Sequence, residues 1–388
     1  MFNFNFYNPT KIIFGKDRLD SINTLIPSGS KVMITYGGGS AVRSGLIDKI
    51  KYHLGNRKII EFAGIEPNPR YETLIKAVEI VKQEKVEFIL AVGGGSVIDG
   101  TKFITLASAY KDEPYKLFDF GFTPIPLDVI PEVVPFGAVL TLPAAGSEMN
   151  SGAVISYKDG KFVVKSQLTY PQFSILDPTL TYTLPDVQVA NGIADTFVHT
   201  VEQYLTYPVD AKIQDRFAEG ILKTLIEIGE KTIKEPENYD ARANLVWSAT
   251  MALNGIIGLG VPQDWTTHMI GHELTAMFGI DHGQTLAIIY PAVMEVRKDK
   301  KRAKLIQYAE RVWNIDNMSD EEKINEAIKK TREFFESLGI KTRISEYGIS
   351  KDKIPAIVDQ LVNHGLTALS EHGDITPDVS RKILETAY

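Results

Sequence analysis

The chain has 388 residues, 44% of them hydrophobic and 23% charged, the balance of an ordinary globular protein long enough for two cores. A net charge of −7 and a pI of about 5.6 argue against a nucleic acid or an anionic membrane as its main partner. With no cysteine there are no disulfides, and any metal must be held by His, Asp or Glu.

The opening stretch, "MFNFNFYNPTKIIFG", is interrupted by asparagines and lacks a basic n-region and an apolar h-region, so no signal peptide is expected. No apolar run reaches the roughly 18 residues of a membrane span, and a reduced cytoplasmic setting is the simplest reading. "KVMITY" (31–36) predicts a buried strand, then come "GGGS" and a helix through "AVRSGLIDKIKYHL". "RKIIEF" (57–62) predicts the next strand. In "RYETLIKAVEIVKQEK" (70–85), Leu74, Ala77, Val78 and Val81 recur at helical spacing. "VEFILAV" (86–92) returns to strand, followed again by "GGGS" and a helix, "VIDGTKFITLASAY", and "FGAVLTL" (136–142) is a further strand. This alternation predicts a parallel sheet covered on both faces. After "LDPTLTYTLP" (176–185) the texture changes, and from Val187 onward amphipathic helical segments dominate, such as "DAKIQDRFAEGILKTLIEIGEKTI" and "KRAKLIQYAERVW". The predicted domains are an α/β domain over 1–185 and an all-helical domain over 186–388.

The two "GGGS" loops, at 37–40 and 93–96, stand where a strand gives way to a helix. Glycine lets backbone N–H groups approach a phosphate there, and the helix N-terminus adds partial positive charge. Neither loop has the G-x-G-x-x-G spacing, because Val42 and Ile98 occupy its last position, and no GK[ST] marks a P-loop. Tight turns alone would account for one such loop. Two of them, with a third polar turn "PAAGSEMNSG" (143–152) after a third strand, predict a nucleotide-type ligand at the carboxyl edge of the sheet.

"HMIGHELTAMFGIDH" (268–282) holds three of the chain's seven histidines. His268 and His272 are i and i+4, one turn apart on one helix face, and His282 follows an expected helix break at Gly279. Taken alone, the pair fits metal binding or ordinary packing. It is no H-E-x-x-H signature, since Ala276 stands where the second histidine would be. In "ANGIADTFVHTVEQY", Asp195 and His199 are also i and i+4, within an apolar segment where an unpaired carboxylate is costly to bury. Joined with His268 and His282, they form one carboxylate and three imidazoles, a set suited to Zn²⁺ or Fe²⁺ with positions left open for substrate.

These stretches, together with "GGGSVIDGTK", "LTLPAAGSEMNSGAVIS", "LDPTLTYTLP" and "GVPQDWTTHMIGHELTAMFGIDHGQTLAIIYPA", carry a likeness over essentially the whole chain. The chain resembles the iron-containing (group III) alcohol dehydrogenase superfamily, and within it bacterial NADPH-dependent aldehyde reductases and butanol dehydrogenases. The resemblance implies a Rossmann-like dinucleotide-binding domain followed by a helical domain, the dehydroquinate-synthase-like architecture, with the metal in the cleft between them. It assigns the metal ligands to Asp195, His199, His268 and His282. It assigns the cofactor pyrophosphate to Gly38, Gly39 and Ser40 and to Gly94, Gly95 and Ser96. Asp99 is implied near the nicotinamide, with Thr141, Leu142, Ser147, Asn150 and Lys161 along the cofactor cleft; Lys158 and Lys165 are alternatives to Lys161. His272 is left beside the metal, outside the ligand set, to position substrate or relay the alcohol proton.

The function so implied is a metal-dependent oxidoreductase passing hydride between NADPH and short- to medium-chain aldehydes, with NADP(H) and one divalent metal as cofactors. A polyol dehydrogenase or a lyase of the same fold, related to glycerol dehydrogenase or dehydroquinate synthase, is the alternative. No nucleic-acid or membrane partner is expected, and a homodimer is, because relatives form dimers and an exposed N-terminal strand can pair across an axis. The loop "YGGGSAVRSG" has no acid before Asp48 to repel a 2′-phosphate, which predicts NADPH over NADH. Arg43 adds charge there if its side chain folds back.

Overall fold

The computed structural model describes residues 1–388. The chain forms two compact units, one of Tyr7–Thr183 and one of Leu184–Tyr388 together with Met1–Phe6. No helix is long and apolar enough to cross a membrane.

The first unit is built on β1 (Lys11–Phe14), α1 (Ile22–Leu25), β2 (Lys31–Tyr36), α2 (Ser40–Arg43), α3 (Leu46–Leu54), β3 (Lys58–Phe62), α4 (Tyr71–Glu84), β4 (Phe88–Gly94), α5 (Gly95–Ala109), β5 (Phe136–Leu142), β6 (Gly152–Tyr157), β7 (Gly160–Lys165) and β8 (Phe173–Leu176). Six strands make an all-parallel sheet in the order β1-β8-β5-β4-β2-β3. The central strands are mostly apolar because helices cover both faces. Since β2, β4 and β5 are neighbours in register, the segments leaving their carboxyl ends lie side by side.

Here the structure corrects several expectations. The helix expected over 41–54 breaks at Gly45, which is left-handed at φ +72°, into α2 and α3. The second "GGGS" is hardly a loop, since β4 runs through Gly94 and α5 starts at Gly95. A Cβ on Gly93 would lie 2.5 Å from Val97 Cγ2, so the strand turns straight into its helix only without one. The pattern did not show that the N-terminal strand β1 pairs with β8 at the sheet edge, and it gave no sign of β8 or of the separate antiparallel hairpin β6–β7. "KIIF" and "FSIL" are four residues each, too short for a period to register.

The second unit is helical: α6 (Asp186–Tyr204), α7 (Lys212–Lys234), α8 (Tyr239–Leu253), α9 (Thr266–Phe278), α10 (His282–Arg297), α11 (Arg302–Arg311), α12 (Asp320–Ser337), α13 (Ile354–Asn363) and α14 (Pro377–Thr386). One apolar cluster joins α6, α7, α8, α10, α11 and α12, and another joins α9, α10, α13 and α14. Helix α6 runs through the middle and is buried over most of its length. Two glycines let its neighbours come close. A Cβ on Gly283 of α10 would lie 2.4 Å from the Asn191 carbonyl oxygen of α6, and one on Gly271 of α9 would lie 2.8 Å from Thr285 Oγ1 of α10. Asn191 Nδ2 also donates to Asp281 Oδ2 at 3.0 Å, tying α6 to the start of α10.

Candidate functional site

The crossing of α6, α9 and α10 brings three distant sequence segments to one point. Asp195 and His199 come from the middle of α6, His268 from the first turn of α9, and His282 is the first residue of α10. One ligand atom from each of Asp195, His268 and His282 lies within 4.8 Å of the others. Asp195 Oδ1 is the common point, at 3.6 Å from His268 Nε2, 3.8 Å from His282 Nε2 and 3.3 Å from His199 Nδ1. His199 stands just outside the mutual set, its ring stacked on that of His268 at 4.4 Å between centroids. Trp265 packs edge-on against both, at 6.1 and 5.4 Å.

Hydrogen bonding decides what this point can hold. Asp195 Oδ1, His199 Nδ1 and His268 Nε2 are buried and make no hydrogen bond. His268 Nδ1 is paired with Glu202 Oε2, so with the ring hydrogen on that side Nε2 offers a lone pair. Lone pairs and a carboxylate oxygen then face one another in a dry setting, which is costly unless a cation lies among them. The donor set therefore fits a divalent cation of the Zn²⁺ or Fe²⁺ kind.

Among the protein groups alone, titration is strongly biased. Burial opposes the Asp195 carboxylate, but His199, His268 and His282 together hold its pKa well below the usual range. Burial, with His268 nearby, pushes His199 down to about 4 against the pull of Asp195. His268 is driven the other way, against its burial, to about 9 by Glu202 and Asp195, so its Nε2 attracts positive charge, a proton or the cation that would replace it. His272 is half-buried one turn further along α9, its ring 6.3 Å from that of His268 and 5.1 Å from that of His282. It is not among the converging ligand atoms.

In the sheet unit, the residues expected along a cofactor separate into two groups. Asp99, Ser147 and Asn150 form one connected cluster. Ser147 Oγ donates to Asp99 Oδ1, and Asp99 Oδ2 accepts the Val154 N–H at 2.9 Å. The fully buried Lys102 holds them, donating at 2.8 Å to Ser147 Oγ, to Asn150 Oδ1 and to the Gly152 carbonyl. Burial pushes Lys102 down to about 8 although Asp99 and Glu148 oppose it. Thr141 and Leu142 end β5 just before this turn. Lys161 lies on β7 opposite Ser156, and Lys158 takes up the left-handed turn of that hairpin.

The glycines differ in what they do. Cβ atoms on Gly94 and Gly95 would meet Leu142 Cβ at 3.0 Å and Ala145 Cβ at 3.2 Å, so both serve the packing of β5 and its turn on α5. Nothing stands within 4 Å of a Cβ on Gly38, which is exposed with Ser40 at the mouth of the first loop. Gly39 is left-handed at φ +101°, and Arg43 Nη1 lies 3.3 Å from where its Cβ would be. The Arg43 side chain therefore folds back over the loop.

Two residues in these clusters escaped the sequence reading, Lys102 and Glu202. Each had a signal. Lys102 is i+3 from Asp99, and Glu202 continues the Asp195–His199 stripe at i+7 along the same buried helix.

The family model described as iron-containing alcohol dehydrogenase matches residues 9–178, and that of the Fe-containing alcohol dehydrogenase family's C-terminal part matches 189–388. The chain is 57% identical to the NADPH-dependent aldehyde reductase YqhD of Escherichia coli over 100% of both chains. It is 40% identical to NADH-dependent butanol dehydrogenase A of Clostridium acetobutylicum, covering 99% of this chain and 98% of that one. A crystal structure of Escherichia coli YqhD superposes with a TM-score of 0.96 at 56% identity, covering 100% of this chain and 99% of that one. The NADH-dependent butanol dehydrogenase A of Thermotoga maritima superposes at 0.92 with 34% identity, over 100% and 99%.

Proposed function

Because the chain belongs to the iron-containing alcohol dehydrogenase family, we propose that it is an NADPH-linked alcohol dehydrogenase acting as an aldehyde reductase on short- to medium-chain aldehydes. The observation that carries this reading is the convergence of His199, His268 and His282 on the buried Asp195 Oδ1. Asp195, His199, His268 and His282 would hold one divalent cation, Zn²⁺ or Fe²⁺. When bound, the cation supplies Lewis acidity toward the carbonyl oxygen, and the nicotinamide supplies the hydride.

The protein's own groups do the rest. One carboxylate against a divalent charge leaves the ligand set net positive, suited to an oxygen that gains negative charge. His272 is close enough to the ligand imidazoles to orient a substrate oxygen or give it a proton from a ring nitrogen. Gly38, Gly39 and Ser40, with Gly94, Gly95 and Ser96 at the start of α5, would take the cofactor's pyrophosphate, the second group at the amino end of a fifteen-residue helix. Asp99, Thr141, Leu142, Ser147, Asn150 and Lys161 would line the remainder.

NADPH is favoured over NADH by the first loop, where Ser40 is exposed, no acid precedes Asp48, and Arg43 lies over Gly39. A homodimer is the assembly we favour, since β1 leaves an unpaired edge on the sheet and Phe2, Phe4 and Phe6 are exposed. Light scattering on the purified protein measures it. The enzymatic reading is tested by following the reduced-nicotinamide absorbance of metal-loaded protein with butanal. Consumption should stop after exhaustive chelation and return with Zn²⁺ or Fe²⁺. Undiminished consumption by metal-free protein, or none with any of a panel of aldehydes, overturns the reading.

A further inference from the structure

Glu202 stands on the same stripe of α6 as Asp195 and His199, and it is 2% exposed. Both carboxylate oxygens are engaged with the start of α9. Oε1 accepts the Thr267 N–H at 2.6 Å, and Oε2 pairs with His268 Nδ1. The Glu202 carbonyl also accepts the Asp264 N–H at 2.8 Å. Asp264 is fixed in turn by Lys301, a buried lysine that reaches Asp264 Oδ2 at 2.9 Å, Glu371 Oε1 at 2.7 Å and the Leu205 carbonyl at 2.7 Å. The segment from Asp264 to His268 is thus pinned to α6 at three points.

An ionised carboxylate only accepts hydrogen bonds, so Glu202 dictates where the His268 hydrogen sits. In the neutral ring that would bind a cation it is on Nδ1, which leaves the lone pair on Nε2, the atom facing Asp195 Oδ1 at 3.6 Å. The opposite tautomer would aim an N–H into the ligand set. We propose that Glu202 is a positioning residue for metal binding, holding His268 in the tautomer and orientation that present Nε2 to the cation. This rests on the metal-site reading given above. A carboxylate behind a ligand imidazole orients the ring and raises its basicity, and its loss typically weakens metal binding by about 10- to 100-fold.

Glu202→Gln separates this role from simple support. The amide oxygen can still accept the Thr267 N–H, but the amide nitrogen donates toward His268 Nδ1 and favours the wrong tautomer. Zn²⁺ affinity is measured by competition with a chromophoric chelator, and the melting midpoint of the metal-free protein is followed alongside. Nitrogen–proton correlation spectra of histidine-labelled, Zn²⁺-loaded wild type report the His268 tautomer, assigned by the signal lost in His268→Gln. The expected results are about 10- to 100-fold weaker Zn²⁺ binding in Glu202→Gln and an Nδ1–H tautomer in wild type. Affinity within threefold of wild type overturns the proposal, and so does an Nε2–H signal for His268 in wild type. The second result stands even if the variant fails to fold. If wild type binds no Zn²⁺ at all, the metal-site reading itself has failed.

Discussion

Replacing Gly283 by alanine tests whether the close approach of α10 to α6 sets the ligand spacing. The added Cβ would lie 2.4 Å from the Asn191 carbonyl oxygen and 2.8 Å from Asn191 Cα. Both are backbone atoms of α6, so no side chain can rotate away. Restoring a van der Waals separation of about 3.5 Å requires the helices to part by on the order of 1 Å. Alanine gains up to about 1 kcal/mol over glycine in helix propensity, whereas overpacking a close interface costs about 1–3 kcal/mol. The loss should prevail because the clash is with backbone. His282 is the preceding residue, with Nε2 only 3.8 Å from Asp195 Oδ1, so the shift falls directly on the ligand set. Coordination distances tolerate about 0.2 Å. If 1–3 kcal/mol of misfit appears as lost affinity, metal binding weakens by roughly five- to 150-fold. Chelator competition measures that change and thermal melting of the metal-free protein measures the packing. Gly220→Ala is the control, because Gly220 is on the exposed face of α7 and its Cβ would meet nothing within 4 Å, and it should be neutral or stabilising by about 0.5–1 kcal/mol. Wild-type metal affinity and melting in Gly283→Ala would refute the reasoning.

Three further outcomes follow from the site. Asp195→Ala and His268→Ala should each abolish turnover and bound metal, by elemental analysis, while fluorescence titration still detects binding of the reduced nicotinamide cofactor. His272→Asn should lower kcat with metal content intact, and loss of metal instead would move His272 into the ligand set. Gly39→Asp puts a carboxylate against the proposed 2′-phosphate, a repulsion of a few kcal/mol at moderate effective dielectric. Steady-state kinetics should show kcat/KM for NADPH falling by more than about tenfold with NADH spared, and a wild-type preference for NADH would defeat that reading of the loop.

Much of the fold was legible because burial leaves a period. β2, β4 and β5 read as continuous apolar runs since both their faces are covered, and α4 showed its buried stripe of Leu74, Ala77, Val78 and Val81. The misses have local causes. Gly45 sits at a left-handed φ that a periodic pattern does not encode, and Gly93 and Gly94 belong to the strand because Val97 and Leu142 leave no room for a Cβ. In the site, helical spacing paired Asp195 with His199 but could not say that Gly271 and Gly283 let α9 and α10 close on them. Lys102 was invisible for a different reason. Its three partners lie 45 to 50 residues away, on a turn that only the fold brings back to α5.

The polar residues of α6 show why one face of that helix is a site and the others are packing. Six of them are buried in one stretch: Asp195, Thr196, His199, Thr200, Glu202 and Gln203. Each needs a hydrogen-bond partner or it destabilises the fold. Thr196 and Thr200 satisfy themselves at 2.8 Å on the carbonyls of Gly192 and Thr196, inside their own helix. Gln203 donates to the carbonyls of His199 and Ala252, at 2.7 and 2.9 Å. Glu202 is satisfied by Thr267 and His268 at the start of α9. What is left is Asp195 Oδ1 and His199 Nδ1, met by His268 Nε2 from α9, buried atoms with no hydrogen-bond partner. The other buried polar side chains of this stretch are paired, and these face one another, an arrangement that suits a cation better than a hydrogen-bond donor. A cation bound at a thousand times its dissociation constant would stabilise the folded state by about 4 kcal/mol. That is enough to offset the burial of one carboxylate, so a bound cation would make these four side chains part of the helical core.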